Sequence, residues 1–202
     1  MKILNYLKKA LLLFLLVPAI SFSQEKDLSI RIEQDEKSVK LTDFQTNLTL
    51  DRKGFKFQIF LDQLEGVFVF ASDRDSIYRF TETSPIRDFA YLKLLELRET
   101  DKFNLNKELS LSETGWSYWF YDPTAEWHPF SRQSVSFGTN RVVCTKVIKQ
   151  LYDVEAREVI KLKNIKSPLY IFFVAVKEYD EKGVPVKELM RRKVKITWSD
   201  ED

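Results

Sequence analysis

The chain has 202 residues, 31% of them charged and 14% aromatic. Residues 1–23 read as an export leader with three lysines and no acidic residue, which leaves 179 residues with 29 basic and 30 acidic side chains. This balance excludes the strongly positive field of a typical nucleic-acid-binding protein. The leader holds only three of the 28 aromatic residues. The composition therefore also excludes disorder as the main state.

The leader has the three parts of a signal peptide. Residues 1–9 are basic, residues 10–17 are apolar, and residues 18–23 place Ser21 and Ser23 at the small-residue positions, so we expect cleavage before Gln24. A retained anchor is the alternative, but about 20 apolar residues are needed to span a bilayer. We expect an exported protein, periplasmic or extracellular, without a lipid-anchor cysteine or a transmembrane segment in the mature chain.

Strand patterns begin near residues 28–32, where apolar residues alternate with polar ones. The runs 48–50 and 55–61 alternate in the same way on either side of Gly54. This arrangement predicts a hairpin with the glycine at a left-handed position.

The next part of the chain holds one further predicted hairpin and one ambiguous segment. Residues 62–66 lead into the run 67–71, which is apolar on both faces and indicates a central strand covered on both sides. A short helix is expected near 85–98, because Ser84 and Pro85 resemble an N-cap followed by a first-turn proline. An alternating strand is the competing interpretation of that segment.

Short β-branched or aromatic runs predict the remaining strands. They lie at residues 109–111, 116–121, 142–151, 158–162, 169–176 and 194–198, with a turn at 180–183 that makes the last two a hairpin. Eight to ten short strands without regularly alternating helices favour an antiparallel β-sandwich or a partly closed barrel. No flexible linker is visible, so we expect one β-rich domain over residues 24–202.

Side chains that usually carry catalysis or bind metals are scarce. His128 is the one histidine and Cys144 the one cysteine, so an internal disulfide and the common zinc, iron and copper sites are not expected. Cys144 lies in an apolar run and is expected to be buried. A hydrolase around His128, Asp122 and Glu126 is the third alternative, although no G-x-S-x-G motif is present. We expect a non-catalytic protein without catalytic residues, cofactor or metal.

Residues 116–130 contain a dense cluster of aromatic side chains. Trp and Tyr offer large, stiff, amphipathic surfaces that suit a protein partner or a sugar ring. The alternative is that both faces of this strand are buried, one against a second sheet and one under the following loop. The candidate binding residues are Trp116, Tyr118, Trp119, Tyr121, Trp127, His128 and Phe130.

A basic edge near residues 187–195 is the second candidate surface. It consists of Lys187, Arg191, Arg192, Lys193 and Lys195. Charge on an outer strand protects a sheet against edge-to-edge pairing, which is the structural interpretation, and an anionic partner is the alternative. We expect a non-catalytic envelope protein that binds another envelope protein or serves as an assembly subunit. A glycan-binding module is the alternative, and no nucleic-acid partner is expected.

Overall fold

The computed structural model of the protein describes residues 28–62, 66–75, 79–86, 93–94, 108–112, 116–119, 131–134, 141–181 and 185–199. Fourteen strands lie in these ranges, together with a 3-10 turn at Leu162–Asn164. The strands are β1 (Ser29–Gln34), β2 (Lys37–Lys40), β3 (Gln45–Leu50), β4 (Phe55–Asp62), β5 (Gly66–Ser72), β6 (Lys93–Leu94), β7 (Glu108–Leu111), β8 (Trp116–Trp119), β9 (Ser131–Ser134), β10 (Arg141–Ile148), β11 (Gln150–Asp153), β12 (Glu158–Lys161), β13 (Leu169–Tyr179) and β14 (Pro185–Trp198).

These strands form three sheets. The five-stranded sheet has the order β2-β1-β4-β10-β9, the six-stranded sheet β3-β14-β13-β5-β8-β6, and the three-stranded sheet β12-β11-β7. Most neighbours are antiparallel, whereas the pairs β3–β14, β7–β11 and β6–β8 are parallel. The described part of the chain is therefore mainly β, and its packed sheets agree with the predicted β-sandwich.

The main core combines side chains from the five-stranded and six-stranded sheets. Ile30, Phe57 and Ile59 come from the first sheet, and Ile171 and Phe173 come from the second. The rings of Phe57 and Phe173 meet edge to face, with centroids 5.4 Å apart. Apolar residues two positions apart in a strand share one face, so the alternation seen in the sequence produces this layer.

A second apolar cluster covers the other face of the six-stranded sheet. Phe68 and Phe70 of β5 lie there with Phe172 and Val174 of β13, and the ring of Phe80 stacks on Phe172 at 5.8 Å. All seven residues of β5 are consequently buried. The predicted central strand at 67–71, covered on both sides, is confirmed.

Two predicted hairpins are wrong, because the chain crosses between sheets at both places. β3 belongs to the six-stranded sheet, β4 to the five-stranded sheet, and β5 again to the six-stranded sheet. Alternation beside a short turn shows that each strand buries one face, but it does not decide whether both strands share a sheet. The third predicted hairpin, β13–β14, is confirmed and includes register shifts near its tip.

Gly54 also differs from expectation, because its backbone is not left-handed. A Cβ at this position would lie 3.3 Å from the carbonyl oxygen of Ile148, so the glycine allows a close approach to β10. Among the described non-glycine residues, Asp35 and Arg157 have positive φ angles, of 52° and 58°. The left-handed turns therefore lie between β1 and β2 and between β11 and β12.

The segment that was expected to be helical contains a strand. Lys93–Leu94 forms β6, while residues 87–92 and 95–98 lie outside the described residues. The predicted run 142–151 divides into β10 and β11, which belong to different sheets. Together with β2 and β9, which were not predicted, and β6, where a strand was the competing interpretation, this division raises the count from ten strands to fourteen in the described ranges. No helix in the described ranges has the length and apolar character needed to cross a membrane.

Candidate functional site

The predicted aromatic strand lies inside the six-stranded sheet. Trp119 and Tyr118 of β8 pair through their backbones with β5, and the other side of β8 pairs with β6. Only the backbone of Trp116–Trp119 is described. The candidate residues Tyr121, Trp127, His128 and Phe130 lie outside the described residues, as do Asp122 and Glu126. Their binding role stays a prediction.

The predicted basic edge is an internal strand over part of its length. Residues 193–196 of β14 pair with both β13 and β3, so the expectation of an outer strand does not hold there. Lys187 lies before this part and forms an ion pair with Glu178 of β13 at 2.7 Å. The pair joins two exposed side chains across the hairpin, where such contacts contribute little to stability.

The two arginines of this strand hold neighbouring segments of backbone. Arg191 is buried, contacts the carboxylate of Glu188 through two nitrogens, and donates a hydrogen bond to the carbonyl oxygen of Thr81 at 2.9 Å. Arg192 donates to the carbonyl oxygen of Leu41 at 3.3 Å. Burial lowers the pKa of Arg192. These contacts support the structural interpretation of both guanidinium groups.

Two of the three lysines of β14, Lys193 and Lys195, lie over aromatic rings on the outer face of the sheet. The Nζ atom of Lys193 lies 5.3 Å from the ring centre of Phe44, and the Nζ of Lys195 lies 5.7 Å from that of Tyr170. Lys193 is only 3% exposed. Burial, and then the neighbouring charge of Arg191, lower its pKa. The five basic residues therefore do not form one solvated patch.

The outer strand next to β14 is β3, a feature that sequence reasoning missed. Its sequence is QTNLTL, without a charged residue or a proline. Gln45, Asn47 and Thr49 are exposed, whereas Leu50 is buried at the core end. Among the described strands, only β14 pairs with β3. One side of β3 is thus an open backbone edge within the described part of the chain.

A cavity of about 850 Å³ begins where β3 ends. It is bounded by the connection from β3 to β4, which we call the arch (residues 51–54), and by the segment that precedes β13. The lining side chains are Asp51, Arg52, Lys53, Lys163, Asn164, Ile165 and Lys166. Four basic residues against one acidic residue make this arch cavity favourable for negative charge.

The arch itself is held by several polar contacts. Arg52 donates from Nε to the carbonyl oxygen of Ile165 at 3.2 Å and from a terminal nitrogen to that of Ser199 at 2.7 Å. Lys53 forms ion pairs with Asp35 at 2.7 Å and with Asp51 at 2.9 Å. The arch therefore has a fixed geometry on which a ligand could dock.

Asp51 and Lys53 shift each other's protonation equilibria. Hydrogen bonds from Lys53 and from the Ser199 hydroxyl lower the pKa of Asp51. The carboxylates of Asp35 and Asp51 raise the pKa of Lys53. Lys53 therefore offsets the negative charge of Asp51, and the positive charge towards a ligand comes from Arg52, Lys163 and Lys166.

A signal for the β3 edge exists in the sequence, but it needs the topology to be recognised. Other outer strands carry charges at exposed positions: Lys37 and Lys40 in β2, and Glu158 and Lys161 in β12. Only the pairing of β3 with β14, far apart in the chain, shows that the uncharged QTNLTL run is an outer strand among the strands that the structure describes.

Comparison with known proteins gives no family for this chain. A scan against known protein families finds no match, and a search of curated proteins finds none either. Within the described ranges, no three side chains of His, Cys, Asp or Glu are grouped as metal ligands would be. Within the described residues, the candidate site consists of the β3 edge and the arch cavity.

Proposed function

We propose that the protein is an exported, non-catalytic binding domain that docks another protein of the cell envelope or serves as a subunit of an envelope assembly. The open, uncharged edge of β3 is the observation that carries this proposal. Unpaired strand edges bind other chains through backbone hydrogen bonds and need no reactive side chain. The leader over residues 1–23 supports the exported location.

The test is affinity purification of the tagged full-length protein from the envelope of the cells that export it, followed by mass spectrometry. We expect a mature N-terminus at Gln24 and one envelope protein in a stoichiometric amount. The matched control is a variant that lacks residues 1–23 and stays inside the cell, which should not recover that partner. Turnover of a small molecule that His128→Ala abolishes would contradict the proposal and favour a hydrolase.

Glycan binding is the second candidate function, favoured by the aromatic density of residues 116–130. Stacking on sugar rings needs exposed Trp or Tyr faces, which Trp116, Trp119, Tyr121 and Trp127 would supply. A glycan array measures it directly. Binding that is lost in Trp127→Ala but kept in a β3 variant would favour this function over protein docking.

A further inference from the structure

The open edge of β3 presents a regular row of backbone groups. The N–H of Lys193 bonds to the carbonyl oxygen of Phe44 at 2.6 Å, and the N–H of Ser199 bonds to that of Leu50 at 2.8 Å. Backbone N–H and C=O directions alternate along an extended strand. The backbone groups of the even-numbered residues of β3 therefore point to β14. The N–H and C=O groups of Gln45, Asn47 and Thr49 therefore point away from β14, where no described strand pairs with them.

This edge lacks the usual protection against pairing. Proteins normally place lysine, proline or a bulge on an outer strand, because an open row of N–H and C=O groups is a template for another chain. β2 carries Lys37 and Lys40, whereas β3 carries threonine, asparagine, glutamine and leucine. The ladder between β3 and β14 runs over six consecutive residue pairs without a register shift. The β3 ladder with β14 thus contains no bulge, and the strand carries no lysine or proline.

The side chains of β3 define the pattern of an added strand. Thr46 and Leu48 point towards the core side of the sheet, where Leu48 packs against the main core, and Gln45, Asn47 and Thr49 lie on the exposed side. A strand added next to β3 would extend the core-side face and the exposed face of the sheet. It therefore needs apolar or β-branched residues at alternate positions and polar residues between them.

A second copy of this chain is a poor occupant of the edge. Six residues span about 20 Å, and two rigid domains that touch only along this length bury far less than the roughly 1,200 Å² of a stable interface. An extended segment can continue past the strand and gain further contacts. At one end of β3 the next surface is the arch cavity, with Lys163 and Lys166 exposed on its far side.

We propose that an extended segment of another protein adds to β3 as a seventh strand, and that acidic residues just beyond this strand bind at the arch cavity. The inference rests on the proposed function, because it requires a protein partner. The backbone ladder supplies most of the affinity, and the positive charge at Arg52, Lys163 and Lys166 selects an acidic flank. Hydrogen bonds from the Arg52 guanidinium to the carbonyl oxygens of Ile165 and Ser199 hold this side chain in place.

The first experiment maps the edge by photo-crosslinking. Benzoylphenylalanine replaces exposed Gln45 in the full-length protein, and the matched control places the same probe at exposed Lys37 of β2. After irradiation of cells that export the protein, mass spectrometry identifies the crosslinked segment. We expect the Gln45 probe to capture one alternating segment with an acidic flank, and the Lys37 probe not to capture it.

The second experiment measures affinity for a synthetic peptide of the captured segment by fluorescence anisotropy. Asn47→Pro removes an outward N–H without removing a bond to β14, and it should weaken binding at least tenfold. The paired change Lys163→Glu and Lys166→Glu should also weaken binding about tenfold, and more strongly at low salt. Lys177→Glu, an exposed change outside the cavity, is the control. The thermal melt of each variant verifies folding.

Each alternative outcome has its own meaning. A crosslink between two copies of the chain overturns the partner segment in favour of a homodimer. A stoichiometric partner that binds Asn47→Pro and the glutamate variant normally overturns the β3 site and leaves the proposed function standing. Failure to recover any partner from the envelope overturns the proposed function, and the inference with it.

Discussion

The side-chain amide of Gln34 and the backbone of Asp51 exchange two hydrogen bonds. The Oε1 of Gln34 accepts the N–H of Asp51 at 2.8 Å, and its Nε2 donates to the carbonyl oxygen of Asp51 at 3.1 Å. Gln34 ends β1 in the five-stranded sheet, and Asp51 follows β3 in the six-stranded sheet. The side-chain amide of Gln34 therefore joins the two sheets at the arch. It pairs with the backbone of Asp51 as the backbone of a neighbouring strand would.

Replacement of this amide should destabilise the protein. Gln34 is buried, and Gln34→Leu removes the side-chain partner of the Asp51 N–H and of the Lys53 and Gly54 carbonyl oxygens. An unsatisfied buried polar group costs about 1–3 kcal/mol, so we expect the free energy of unfolding in urea to fall by about that amount. Gln45→Leu, at an exposed position, is the control. Equal stability of the two variants would show that the amide does not hold the arch.

Asp51 should contribute to stability above acidic pH. Hydrogen bonds with Lys53 and Ser199 lower its folded pKa below the ordinary 3.8, so the folded state binds fewer protons than the unfolded state. The contribution is present above pH 3.8 and disappears as the pH falls through the folded pKa. We expect the urea midpoint of Asp51→Asn to change less between pH 5 and pH 2 than that of the wild type. Glu36→Gln, which removes another exposed carboxylate outside this network, is the comparison, and equal slopes for all three proteins would contradict the prediction.

Lys193 should have the opposite pH dependence. Burial lowers its folded pKa below 10.5, so its charge costs stability at neutral pH, and this cost is relieved as the pH rises from the folded pKa towards 10.5. Replacement of a buried charge by a similar apolar side chain is often neutral or stabilising. At pH 7 we expect Lys193→Met to match the wild type or to exceed its free energy of unfolding by about 1 kcal/mol. The difference should shrink towards pH 10. A strong loss at pH 7, absent from the control Lys195→Met, would indicate that the ammonium group is required.

Arg157 should be replaceable by glycine with a gain in stability. Its φ angle of 58° lies in the left-handed region, which costs a residue with a Cβ about 1–2 kcal/mol. Glycine avoids that cost but loses more entropy on folding, so Arg157→Gly should raise the free energy of unfolding by about 1 kcal/mol. Arg157→Ala retains the Cβ and is the matched control. Both proteins are compared by thermal unfolding, and a lower melting temperature for the glycine variant than for the alanine variant would refute the prediction.

Local patterns in the sequence were sufficient for much of the fold. The apolar run of β5 predicts a strand covered on both faces, and the structure buries it between the main core and the second cluster. The predicted burial of Cys144 is confirmed at 1% exposure, since the residue shares the inward face of β10 with Ile148. The burial of a strand face depends on residues two positions apart, so a short stretch of sequence is enough to predict it.

Pairing between distant strands could not be predicted in this way. β3 alternates as a hairpin strand would, but its neighbour is β14, and Thr49 contacts Thr197 across 148 residues of sequence. The basic residues of β14 were predicted to form an outer edge because the pairing of β14 with β3 could not be inferred from the sequence. In the structure, Lys193 is nearly inaccessible. The β3 edge could not be located from the sequence for the same reason, and the binding role predicted for residues 116–130 stays a prediction.

The parallel pairing of β3 with β14 also fixes the order in which the protein can fold. Residues 45–50 are made early, but their neighbouring strand is complete only when residues 193–198 have left the ribosome. Until then β3 exposes both of its hydrogen-bonding sides, and non-local contacts of this kind form slowly. An unpaired β3 can pair with other chains during this interval, so we expect a chaperone that shields residues 45–50 to reduce aggregation.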